Sequence, residues 1–74
     1  MPTNQTHEDL SFPPGTIFFC LLEGEAGMKS DRMTLMKEAA SPMQYFDWVQ
    51  RQRAEAEKKF TQQFVIISHS VTKP

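Results

Sequence analysis

The sequence predicts an α+β fold: a small three-stranded, mainly antiparallel sheet with one amphipathic helix across one face, in the order β-β-α-β. Three observations carry this. An apolar run rich in β-forming residues, "TIFFCLLE" (16–23), follows the turn signal "FPPGT". A capped segment, "SPMQYFDWVQRQRAEAEKKF" (41–60), spaces its apolar residues at helical intervals. After it, "TQQFVIISHSV" returns to β character.

Residues 1–11 lack hydrophobic periodicity and read as a flexible arm, leaving 12–74 as a single small domain. In the turn, Pro14 suits the second position of a type II turn and Gly15 the third, which requires positive φ. The first strand follows, apolar throughout and bounded by turn signals, which fits a strand better than a short helix. Gly24 and Gly27 break the chain into a loop, and "RMTLMKEA" (32–39) reads as a second strand pairing with the first. A short helix is the alternative there, because Leu, Met, Lys, Glu and Ala all favour helices.

Ser41 is the expected N-cap of the helix, with Pro42 in the first turn and Gln44 completing an S-x-x-Q capping box. Asp47 with Arg51 and Glu55 with Lys59 form i,i+4 pairs, and Lys58 and Lys59 suit the helix C-terminus. At 100° per residue, Phe46, Val49, Ala56 and Phe60 make a core stripe flanked by Tyr45. Two residues stand outside this scheme. Arg53 falls within the apolar arc, and Trp48 lies to one side, near Gln52 and Lys59. Because Trp, Tyr and Arg are enriched at binding hot spots, Tyr45, Trp48, Gln52, Arg53 and Lys59 form the expected partner-binding patch. The competing reading has Arg53 snorkelling to water and Trp48 packing beneath an edge of the sheet.

Strict alternation sends Ile17, Phe19 and Leu21 to one face of the first strand and Phe18, Cys20 and Leu22 to the other. In the last strand it separates Val65, Ile67, His69 and Val71 from Phe64, Ile66, Ser68 and Ser70. A sheet apolar on both faces needs a second cover. The arm, through Leu10 and Phe12, offers part of it. A second subunit offers more, so Phe18, Cys20, Leu22, Phe64 and Ile66 are the expected interface of a homodimer.

Size supports the same expectation. A chain of 74 residues buries only about 60% of its unfolded surface, and such domains usually need a staple. Cys20 is the single cysteine, so no disulfide closes within the chain, and its apolar setting suits a reducing compartment. His7, Cys20 and His69 are too scattered for metal-ligand spacing, and neither a metal nor a cofactor is expected. No signal peptide or membrane-length apolar run is visible, which places the protein in the cytoplasm.

Catalytic patterns are equally absent. In "SHS" (68–70) strand alternation separates His69 from both serines, "GEAG" (24–27) lacks the continuation of a phosphate loop, and Cys20 has no base beside it. Net charge is −1, divided into −4 over residues 1–31 and +3 over residues 32–74. The expectation is a non-enzymatic interaction module, a homodimeric regulator or inhibitor that binds a larger protein. Proteins of this size and kind are often carried by phages and plasmids. The alternative is a small nucleic-acid-binding accessory protein using Arg51, Arg53, Lys58 and Lys59, which Asp47, Glu55 and Glu57 reduce to a helix charge of +1.

Overall fold

The computed structural model describes residues 11–74. Its elements are β1 (Ile17–Gly24), β2 (Lys29–Leu35), α1 (Pro42–Phe60) and β3 (Phe64–Thr72). The three strands form one open antiparallel sheet of order β2-β1-β3, giving the expected α+β arrangement. Because β2 and β3 both run antiparallel to β1, α1 crosses over the central strand to join two strands that point the same way. Leu10, expected to help cover the sheet, lies outside the described residues.

Local chemistry sets the start of each element. Thr16 donates from both its backbone N–H and its side chain to Pro13 O, at 3.2 and 2.6 Å, and Gly15 takes φ +93°. That is the type II geometry which Pro14 and Gly15 favour. The hairpin turn is tighter than the sequence suggests, so β2 begins at Lys29 and ends at Leu35, three to four residues earlier than predicted. Gly27 at φ +87° allows the reversal, and Gly24 N–H donates to Met28 O. The Gln62 side chain lies over Gly24 and accepts from Ala26 N–H at 3.3 Å, so a larger residue at 24 would displace it.

The capping box of α1 is fully formed. Gln44 N–H donates to Ser41 Oγ at 3.1 Å, and Ser41 N–H donates to Gln44 Oε1 at 2.8 Å. Each bond satisfies a backbone donor that the helix itself leaves open. At the other end Thr61 adopts the left-handed conformation (φ 56°, ψ 44°), with its N–H bonded to Glu57 O.

Packing between α1 and the sheet builds the core. Phe18, Cys20 and Leu22 of β1 lie buried beneath Tyr45, Trp48, Val49 and Ala56, with Phe64 and Ala40 closing the ends. Phe12 bridges to Ala40 and packs its ring against Phe18 and Tyr45, with centroids 6.0 and 6.3 Å away. Phe12 therefore belongs to the helix side and covers none of the opposite face.

A bulge in β3 corrects the predicted alternation. Leu22 pairs with Ile66 but Leu21 pairs with Ser68, which leaves Ile67 as the extra residue. Beyond this point the side chains change faces relative to strict alternation. Phe64, Ile66, His69 and Val71 share the helix side, whereas Val65, Ser68, Ser70 and Thr72 share the open side. The bulge delivers Val71 to the core and His69 to Tyr45, whose hydroxyl lies 2.6 Å from His69 Nδ1.

Two outcomes follow for stability. Deleting Ile67 restores a regular ladder without moving Val71 or His69 to the wrong face. The deletion variant should remain cooperatively folded, with a loss of no more than about 2 kcal/mol in chemical denaturation. Replacing Thr61 by Gly removes a β-branched residue from left-handed backbone and should raise stability by about 0.5–1 kcal/mol in the same assay.

Candidate interaction surface

The helix face differs from the predicted stripe by a rotation. Trp48 is only 8% exposed and Tyr45 is buried, whereas Phe46, expected in the core, is 55% exposed. The reason is the direction of the sheet beneath the helix. Core residues Tyr45, Val49 and Ala56 define the inward line, and Trp48 packs toward β2, its ring 5.8 Å from Phe18. Phe46 falls on the opposite flank, above β3, with its ring edge-on to His69 at 6.2 Å.

The structure therefore disperses the predicted patch. Tyr45 and Trp48 are core. Gln52 accepts a hydrogen bond from Arg32 of β2 at 3.1 Å, and Arg32 also pairs with Glu55 at 3.5 Å. Arg53 sits on the β3 flank, where it reaches Glu57 at 3.4 Å and Gln50 at 3.2 Å. Glu57 in turn accepts from Phe64 N–H at 2.9 Å, tying this flank to the start of β3. Lys59 lies over the Phe60 ring at 5.3 Å, near the end of the helix.

The residues expected at an oligomer interface lie on the helix side of the sheet. Phe18, Cys20, Leu22 and Phe64 are buried under α1, and Ile66 packs against them. The face that the described residues leave uncovered is the opposite one. Its central row is Ile17, Phe19 and Leu21, paired across β2 with Leu35, Met33 and Asp31. Met33 is 66% exposed, Leu35 56% and Val65 62%, and Ile67 stands out at the bulge. At one end of this surface Glu23 meets Lys29 at 3.9 Å, and Asp31 lies beside them. The result is a flat apolar surface bounded at one end by charge. Exposed apolar patches of several hundred Å2 on small proteins commonly mark interaction sites.

Other features of the described residues offer less chemistry. An open hollow of about 180 Å3 between α1 and β2 is lined by Phe18, Met36, Gln44, Asp47, Trp48 and Arg51. It is smaller than the roughly 300–1,000 Å3 of typical small-molecule sites. The two charges at its rim are already paired, Arg51 with Asp47 at 2.7 Å. No cluster of three or more potential metal ligands occurs among the described residues, and no described helix is long and apolar enough to cross a membrane. His69 has its Tyr45 partner, while Ser68 and Ser70 occupy the other face of the strand. No protein-family model matches the chain, and no curated protein or solved structure shows significant similarity to it.

Burial pushes the Cys20 thiol above its ordinary pKa, against a smaller lowering by the Arg32 charge, and burial likewise raises the Tyr45 phenol. Both groups hold their protons more tightly in the folded state than in the unfolded one. Their contribution to stability is thus complete at neutral pH and is lost as pH rises beyond the ordinary thiol range. A thiol reagent should leave Cys20 unmodified in the native protein at neutral pH and react with it fully in denaturant.

Proposed function

We propose that the protein is a non-enzymatic interaction module, of the regulator or inhibitor type, that binds a larger protein through the open face of its sheet. One observation carries this reading: Met33, Leu35 and Val65 stand exposed around the row Ile17, Phe19 and Leu21 on a face the helix does not cover. Leaving such side chains in water forgoes about 25 cal/mol for each Å2 of apolar surface that contact would bury. The complementary partner surface is apolar at its centre, with basic and acidic side chains at one end to meet Asp31 and the Glu23–Lys29 pair.

The alternative of nucleic-acid binding has less support. Arg32, Arg51 and Arg53 each pair with a carboxylate of the helix, and a surface that tracks phosphates needs its cations available. Tyr45 and Trp48 of α1 also turn inward, where they pack edge-on or tilted against Phe18 and present no ring to a base.

Affinity capture with the full chain, followed by nuclease treatment, tests the reading. The captured protein should survive nuclease. Met33→Lys and Val65→Lys should each abolish its capture while leaving the circular dichroism spectrum unchanged, and Arg51→Ala should not affect it. Loss of capture on nuclease treatment, or with Arg51→Ala alone, would contradict the proposal.

A further inference from the structure

The two faces of the sheet distribute their apolar side chains differently. On the helix side these fill β1 and β3, while β2 presents Ser30, Arg32 and Thr34. On the open side they run diagonally. Leu35 and Met33 of β2 lead through Ile17, Phe19 and Leu21 of β1 to Val65 of β3, which pairs with Glu23. Uncharged hydroxyls hold one corner beside this band, where Thr72 and Ser70 pair with Ile17 and Phe19. Charges hold the opposite corner. There Lys29 bridges to Glu23 at 3.9 Å, and Asp31 has no ion-pair partner among the described residues.

We propose that the diagonal band seats an amphipathic α-helix of a partner protein, with a lysine or arginine of that helix placed over Asp31. This occupant rests on the reading above, that the open face is the partner site, and specifies what the partner presents there. From the Leu35–Ile17 row to the Glu23–Val65 row the band runs six residues along β1, or about 20 Å, and crosses two strand spacings, about 10 Å. Its diagonal of about 22 Å is the length of a helix of about 15 residues, some four turns. Its width is about two strands, which is the width that α1 covers on the other side. A helix with apolar residues at i, i+3, i+4 and i+7 lays one continuous stripe along such a band. One flank then faces hydroxyls, and the other reaches the free carboxylate with a single basic side chain.

A second copy of this chain fits the band poorly. Its own helix presents Asp47, Arg51, Glu55 and Lys58 outward, with no apolar stripe to offer. Two open faces stacked about a two-fold axis across the strands set each Asp31 over Leu35 or Met33 of the other copy, which buries a carboxylate without a counter-charge. Stacking about an axis along the strands sets Met33 over Ser70, apolar against polar.

Selection of displayed random peptides, each about 18 residues long so that four turns fit, against the full chain reads the outcome, with counter-selection on Met33→Lys. Enriched peptides should carry apolar residues at i, i+3, i+4 and i+7, with a lysine or arginine at a fixed offset from that stripe. A synthetic copy should become helical by circular dichroism on binding. Asp31→Lys, at an exposed position, should weaken that peptide by about tenfold or more and select an acidic residue at the same offset. Phe46→Glu, on the helix side, should bind it as the wild type does. Absence of enrichment over Met33→Lys, or indifference of the peptides to Asp31→Lys, would overturn the helical occupant. Peptides apolar at every second position that still require Met33 and Val65 would overturn the helix while upholding the face as the partner site. A wild-type dimer in sedimentation equilibrium that Met33→Lys dissociates, or nuclear Overhauser contacts from residues 1–10 to Phe19 or Met33, would give the face another occupant and overturn both.

Discussion

Everything in this fold depends on one helix covering one face of a three-stranded sheet. A helix is about 10 Å wide, which spans roughly two strands at their spacing. Here the two are β1 and β3, and their helix-facing residues Phe18, Cys20, Leu22 and Phe64 are correspondingly buried. The third strand lies beyond that reach. Its helix-side residues Ser30, Arg32 and Thr34 are polar, and Arg32 serves as the tie, bonded to Gln52 and Glu55 above it. The same constraint leaves the reverse face without any cover from within the described residues.

How much of this was legible in the sequence depended on whether the signal was local. The helix was legible because the capping box of Ser41 and Gln44 is written in four consecutive residues, and its bonds form as read. The turn at Pro14 and Gly15 was legible for the same reason. The start of β2 was less so: Gly27 in left-handed backbone closes the turn early, and the polar run Lys29, Ser30 and Asp31 resembles a loop until its pairing with β1 is seen.

Which faces work was harder to read, because facing is a tertiary property. A helical wheel orders the residues of α1 but does not say where its inward line points. Tyr45, Val49 and Ala56 fix that line, which turns Trp48 into core and Phe46 outward. In β3 the single extra residue Ile67 reverses every later side chain, so period-two reasoning failed beyond it. That is why Val71 and His69 appear on the helix side and Ser68 and Ser70 on the open side. The sequence did disclose that both sheet faces are apolar along β1; it did not disclose which of them the helix would take.

The central claim is that Met33, Leu35 and Val65 lie on a solvent-facing sheet surface while Leu22, Val49 and Ala56 lie beneath the helix. Methyl NMR of the purified protein with a soluble nitroxide probe measures this directly. The account predicts strong relaxation enhancement for the first group and protection for the second. Protection of Met33 and Val65 equal to that of Leu22 would contradict it.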